Sequence, residues 1–346
     1  MKLVTNAPEE TMQRQKDAVC AVCVDMGTTN TRVWLVSGNE VLGRASASVG
    51  ARDTARDGSD MRIRKALHYL IKQVRTAEDE ASLVRPTAVI AAGMITSPLG
   101  LAEVPHVAAP AGKCEIAAGV RRDYFPDITE LPVFLVPGVR SGSANSDPQL
   151  IGESDVMRGE ETLCVGLLKL GLLKAGGTLL NLGSHWKAIT VDNDEHVATS
   201  VTSMSGELIH AAQSQTILAS ALTQNRPETL NEEWIEAGMR EQRRSGLSRA
   251  LFCIRLLEQR NECTPDDRFA FLIGAFVASD LDSLVRQGLL TSDRPVVITG
   301  DRAVGCAWKH AISEISIDST VISADQLEQA LIQGLTDIVE CVPATD

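Results

Sequence analysis

The chain has 346 residues, 44% of them apolar and 23% charged, enough to fill two medium domains with ordinary cores. A net charge of −12 argues against nucleic acid or an anionic membrane as the main partner, and leaves a local phosphate site open. No apolar run approaches the roughly 20 residues of a membrane span, and the amino terminus lacks a secretory apolar stretch, so the expected location is the cytoplasm.

Residues 1–18 are polar, lack apolar periodicity and are expected to fray. Residues 20–24 form an apolar run and residues 31–36 a β-branched and aromatic one, and both read as strands. Between them stands Asp25-Met26-Gly27-Thr28-Thr29-Asn30. Gly27 lets the backbone turn and approach a ligand, while Thr28, Thr29 and Asn30 offer donors to a phosphate. Asp25, at a strand end, suits a hydrated magnesium ion, which binds through one or two carboxylates plus phosphate oxygens. Alone, the segment reads more simply as an ordinary hairpin. A third strand at 41–48 leads through an Arg- and Asp-rich loop at 50–58 to a helix beginning near Ser59 or Asp60. This helix carries Ile63, Ala66, Leu67, Leu70, Ile71 and Val74 on one face and is closed by Pro86. A buried strand at 87–91 then ends in Gly93-Met94-Ile95-Thr96-Ser97-Pro98-Leu99-Gly100, where open α/β sheets put ligand loops. After a strand at 133–136, a polar loop reaches Asp155. That residue is expected either to cap a helix running to about Leu173 or to turn its carboxylate into a cleft.

The design then repeats. Asn181 stands 156 residues after Asp25, Gly183 the same distance after Gly27, and Ser184 after Thr28. A third strand at 197–202, a helix at 206–223, a helical insert at 228–259 and a helix at 265–286 follow. A strand at 296–299 closes with Gly300-Asp301, and a helix, a strand near Val321 and a final helix from Gln326 complete the chain. The expected fold is a duplicated α/β one, with a mixed sheet flanked by helices in each of two domains, 19–150 and 151–346, around a shared cleft. The eight cysteines are scattered and read as buried free thiols. Cys20 and Cys23, three apart on a strand, should face opposite sides.

Two such halves resemble the actin-like ATPase and sugar-kinase superfamily, with its duplicated ribonuclease H-like fold. Within it the chain resembles the 2-keto-3-deoxygalactonate kinases. The specific strings are DVMRGEET at 155–162, MSGEL at 204–208, GSHWK at 183–187, and the 93–100 loop with Glu103 and Pro105. The hairpin at Asp25 marks the superfamily alone. The resemblance runs over residues 19–342 and implies transfer of the ATP γ-phosphoryl group to a terminal hydroxyl of a 2-keto-3-deoxy sugar acid, with Mg²⁺. On that implication Gly27, Thr28, Thr29 and Asn30 hold one set of phosphates, Gly183, Ser184 and His185 the other, and Asp25 orders the metal. Gly300 lies by the adenine. Asp155 takes the hydroxyl proton, with Glu160 and Glu161 in reserve and Arg158 in the same catalytic group. Arg32 or Arg158 meets the substrate carboxylate, and Met94 and Ser97 join the acceptor site. His185 equally reads as a turn histidine and Gly300 as a helix-start turn.

The chain departs from the family pattern at five places. Leu101 and His106 replace aromatics, Ala188 a tryptophan, Phe276 a glutamate, and Asp301 a small hydroxyl residue. These point to altered substrate choice rather than lost ATP binding. The implied partners are the sugar acid and ATP, not nucleic acid or membrane, and a homodimer is the assembly to test. A regulatory or chaperone-like ATPase module and a sugar-binding relative without catalysis remain as other readings.

Overall fold

The computed structural model describes residues 20–76, 85–142 and 147–343, so the expectations for residues 1–18 and for the helix end before Pro86 lie outside the described residues. In the first half, β1 (Cys20–Met26), β2 (Thr31–Ser37) and β3 (Glu40–Ala47) form an antiparallel meander. Helices α1 (Ala51–Asp57) and α2 (Met61–Thr76) lead to β4 (Ala88–Gly93). There follow β5 (Val107–Ala108), α3 (Lys113–Ala118), β6 (Arg121–Asp123), β7 (Val133–Leu135), β8 (Val139–Ser141), β9 (Asp155–Met157) and α4 (Glu160–Lys169). The second half has β10 (Thr178–Leu182), β11 (Trp186–Val191), β12 (Val197–Ser203), α5 (Ser205–Gln215), α6 (Glu232–Ser245), α7 (Leu247–Arg260) and α8 (Pro265–Arg286). It closes with β13 (Val296–Gly300), α9 (Arg302–Ser313), β14 (Ser319–Val321) and α10 (Ala324–Glu340).

The first sheet runs β3-β2-β1-β4-β7-β6 and the second β12-β11-β10-β13-β14, so five strands share one order. In both, the strand beside the hairpin is parallel and ends in glycine: Met26 faces Gly93, and Leu182 faces Gly300. Each glycine has positive φ, 86° and 115°, and a Cβ there would strike the carbonyl of its partner. Gly300 is thus required by the backbone of β10 whatever else it does.

Both faces of β1 are buried because both are covered. Cys20, Val22 and Val24 join Ile63, Leu67 and Leu70 of α2, while Ala21 and Cys23 point into a second core. Each buried aliphatic there contributes about 1.5–3 kcal/mol. That second core is shared by the halves. Trp34 and Ile90 share it with Leu179 and Ile189 of the second sheet and with buried residues of α4 and α10. These helices cross at Gly166 and Gly334, where a side chain would collide with the carbonyls of Ala330 and Thr162. Although last in the chain, α10 reaches back to the first sheet: Glu328 accepts from Trp34 Nε1 at 2.9 Å and Arg44 Nε at 2.8 Å. A third core, with Phe269, Phe276 and Trp308, belongs to the second half alone.

Several expectations need correction. The 50–58 loop contains α1, because Asp53 accepts from Gly50 N at 3.0 Å and Gly58 terminates the helix in the left-handed conformation. The helix expected from Asp155 begins at Glu160 and ends at Lys169. Asp155 pairs in β9 with β8, and Gly159, at φ 105°, breaks the chain out of the strand. Asp155 is therefore no helix cap. The helix expected to reach residue 223 stops at Gln215, where Thr216 starts a separate 3₁₀ turn by accepting from Leu218 N. Cys20, Cys23 and Cys164 are buried, but Cys114 and Cys306 are exposed. Among the described residues no helix is long and apolar enough to cross a membrane.

Candidate active site

The two hairpins open onto one cleft of about 580 Å³. In the first, Gly27 N donates to Asn30 O at 2.8 Å and Asn30 Nδ2 to Thr29 Oγ1 at 3.0 Å, closing a four-residue turn. Helix α1 props it from behind. Arg52 N donates to Thr28 O at 2.9 Å, and a Cβ on Gly50 would lie 2.6 Å from the carbonyl oxygens of Gly27 and Thr28. Gly206 on α5 stands in the same relation to Gly183 and Ser184. The second hairpin is one residue tighter, since Leu182 pairs with Trp186 where Met26 pairs with Thr31. The cross-strand partner of Asp25 is Arg32, and that of Asn181 is Lys187. Each hairpin thus sets one cation opposite its Asp or Asn. His185 Nε2 lies 3.5 Å from Glu207 Oε2, which makes its partner a side chain rather than the backbone.

Asp25, Gly27, Thr28, Thr29, Asn30, Arg32, Met94, Asp155, Arg158, Glu160, Gly183, Ser184, His185 and Gly300 all line the cleft. Asp25 keeps 19% of its side chain open to it, and Arg32 Nη1 stands 3.4 Å from its Oδ2. Burial in the surrounding protein pushes the Asp25 carboxyl up to about 6; Arg32 opposes the rise and Glu160 adds to it. A carboxylate so placed gains from a cation, which fits an Mg²⁺ ion held mainly by water and phosphate oxygens.

Asp155 Oδ2 accepts from Ser200 Oγ at 2.6 Å and Thr202 Oγ1 at 2.8 Å, and its Oδ1 has no partner among the described residues. Ser141 Oγ accepts from Ser200 N at 3.2 Å and steadies that arrangement from β8. Glu160 Oε2 accepts from Arg158 N at 3.1 Å, and its Oε1 lies 3.7 Å from Lys187 Nζ.

Two expected site residues stand elsewhere. Glu161 is fully buried, with both carboxylate oxygens accepting from Gly159 N at 2.8 and 2.9 Å, so it serves the helix start and does not line the cleft. Burial and the neighbouring Glu160 raise its carboxyl to about 7. Ser97 is buried in its own turn, donating to Met94 O at 2.7 Å and accepting from Leu99 N at 3.2 Å.

Arg158 is fixed by Thr96 Oγ1 and Val104 O, both at 2.9 Å, and by His106 Nδ1 at 3.4 Å. Burial lowers its pKa, yet guanidinium remains charged. Sequence reasoning missed Lys187, a buried cation donating to Val156 O at 2.7 Å, as well as Thr202 and the place of His106 in the cleft wall. Lys187 was hidden by the shorter hairpin, because the 156-residue offset aligns Arg32 with Ala188. Of the other departures, Leu101 packs on the first core, Ala188 and Phe276 lie in the second-half core, and Asp301 caps α9 by accepting from Val304 N at 3.1 Å.

A family model described as 2-keto-3-deoxy-galactonokinase matches residues 25–338. The chain is 24% identical over 327 residues to the 2-dehydro-3-deoxygalactonokinase of Escherichia coli (strain K12), covering 92% of this chain and 98% of that one. A crystal structure described as a 2-dehydro-3-deoxygalactonokinase protein from Sinorhizobium meliloti matches at TM-score 0.72 and 20% identity, over 94% of this chain and 98% of that one. Component A of the (R)-2-hydroxyglutaryl-CoA dehydratase of Acidaminococcus fermentans matches at TM-score 0.50 and 12% identity, over 94% and 100%. The two structural likenesses speak to the fold, which is the duplicated actin-like ATPase fold of sugar kinases. Matched by the family model over nearly its whole length, the chain belongs to the 2-keto-3-deoxy-galactonokinase family.

Proposed function

We propose that this chain uses Mg-ATP to phosphorylate the terminal (6-) hydroxyl of 2-keto-3-deoxygalactonate or a closely related 2-keto-3-deoxy aldonic acid. The observation that carries the reading is Asp155. It sits in the wall of the cleft between the two hairpins, with one oxygen held by two hydroxyls and the other unpartnered among the described residues. That is the arrangement of an oriented base, worth roughly 10²–10⁴ in rate. Bound ATP supplies the phosphoryl group and Mg²⁺ the charge neutralisation, so the protein's share is positioning and electrostatics.

Gly27, Thr28, Thr29 and Asn30 hold phosphates on one side, and Gly183, Ser184 and His185 on the other. Asp25 holds the hydrated metal. Asp155 Oδ1 would receive the proton of the acceptor hydroxyl as the hydroxyl oxygen bonds to the γ-phosphorus and the bond from that phosphorus to the bridging oxygen of ADP breaks, ADP leaving. Of the two arginines considered for the substrate carboxylate, Arg158 is the better placed. It is anchored by three partners near Lys187, whereas Arg32 is half exposed beside Asp25 and the phosphate turn. The workplace we assign is the cytoplasm, and a homodimer remains the assembly to test by sedimentation.

The test is ADP release measured against a panel of sugar acids. Turnover that depends on a 2-keto-3-deoxy acid supports the reading. Acceptor-independent hydrolysis would favour a regulatory module, and binding without either would favour a non-catalytic sugar-binding protein.

A further inference from the structure

We propose that His106 is a specificity-determining residue of the acceptor site, donating a hydrogen bond from Nε2 to the carboxylate of the sugar acid. The inference rests on the sugar-acid reading above. His106 lies in the cleft wall just before β5, with Nδ1 3.4 Å from Arg158 Nη2. A guanidinium only donates, so Nδ1 is the acceptor of that contact and the ring proton sits on Nε2, an assignment made from donor chemistry. The opposite ring edge is fixed too. Its Cδ2 packs on Gly138, where an added Cβ would come within 2.9 Å of it, and closer still to Met157 O and Arg158 Cγ, so Gly138 makes room for all three. Nε2 is left with no partner among the described residues.

The surroundings say what that donor meets. Burial first, and then the positive charges of Arg158, Arg140 and Lys187, hold His106 near 4. The imidazole is therefore neutral at working pH, a directional donor inside a field that favours an anion. Arg158 spends three of its five N–H donors on Thr96, Val104 and His106, which hold it in the cleft wall with two left for a carboxylate, and His106 adds a further donor beside it. Lys187 Nζ donates to Val156 O at 2.7 Å and lies 3.7 Å from Glu160 Oε1, so it contributes charge to this wall. The guanidinium sets the tautomer, and the imidazole presents the proton.

The experiment compares the wild-type chain, His106→Leu and His106→Gln, using 2-keto-3-deoxygalactonate and its methyl ester as acceptors. Leucine keeps bulk without a donor, whereas glutamine returns an N–H near the Nε2 position. His106→Leu should raise KM for the acid roughly 10- to 100-fold, the range of a hydrogen bond to a charged group, with KM for ATP little changed. Its preference for acid over ester should fall by a similar factor, and His106→Gln should restore most of it. An unchanged acid KM, or equal losses on acid and ester, would overturn the assignment. In the wild-type chain, ¹⁵N NMR should show the Nε2–H tautomer and a shift of its signal on adding the acid. The other tautomer or an unmoved signal would overturn it even if the variants fail to fold. A wild-type chain that phosphorylates no sugar acid removes the functional reading itself, which separates that failure from this one.

Discussion

Asp155 and Glu161 stand six residues apart and are both carboxylates, yet their surroundings give them opposite work. Asp155 faces the cleft with hydroxyl partners on one oxygen only. Glu161 is sealed, its carboxyl raised to about 7 from an ordinary 4.5 by burial first and Glu160 second. A carboxyl raised on folding contributes stability that is present below its unfolded pKa and lost as pH climbs through the folded one. The window here is about pH 4.5 to 7, and the loss is on the order of 3 kcal/mol. Glu161→Gln keeps an acceptor for Gly159 N and cannot ionise, so its melting temperature should fall less than the wild type's across that window. Parallel melting curves would contradict this. Asp25→Asn should weaken use of Mg-ATP at least tenfold, because the amide is a poor anchor for a hard cation; an unchanged Mg²⁺ dependence in titrations would count against the metal assignment. The residues of both hairpins were legible from sequence because strand, glycine, hydroxyl and strand form a local pattern. Lys187 and His106 were not, since one depends on a register shift and the other on how a loop folds back onto Arg158.

At the scale of elements, the hairpins are held by the helices behind them. Gly50 and Gly206 allow α1 and α5 to touch the turn carbonyls, and the two contacts are equivalent across the duplication. Gly50→Ala or Gly206→Ala should displace a phosphate turn by a few tenths of an ångström or more. Since about 1 Å of misplacement can cost 10²-fold in rate, kcat/KM for ATP should fall at least tenfold in either variant while the chain still folds. Fluorescent-nucleotide titration checks the binding part, and wild-type affinity in both would refute the propping role. Helix α8 was legible to the residue because Thr264, Pro265 and Asp267 make a capping box with proline in the first turn. The three-residue β9 and seven-residue α1 are too short for periodicity to show, which is why the sequence leaves Asp155 open between a helix cap and a cleft carboxylate.

Across the whole molecule, the duplication was visible in the 156-residue spacing, but the return of α10 to the first sheet was not, because it depends on contacts remote in sequence. The core around α4 and α10 is shared by the two halves, and Arg52 of α1 bridges to Glu207 of α5 at 2.8 Å, joining the helices behind the two hairpins. Both partners are substantially exposed, at 42% and 31%, so the bridge is worth about 0–1 kcal/mol, little enough to break on nucleotide entry. Arg52→Ala should leave the melting temperature nearly unchanged and speed ATP association in stopped flow; a slower or equal rate would deny the bridge a gating role. Closure around both ligands would exclude water as a competing acceptor. The most direct test of the cleft as a phosphoryl-transfer site is acceptor-dependent turnover by wild type and Asp155→Asn side by side. Asparagine still accepts from Ser200 and Thr202 but cannot take a proton. Asp155→Asn should fold normally, keep its binding of ATP and sugar acid, and show a kcat lower by roughly 10²–10⁴; turnover near that of the wild type would contradict the role of Asp155 as the base.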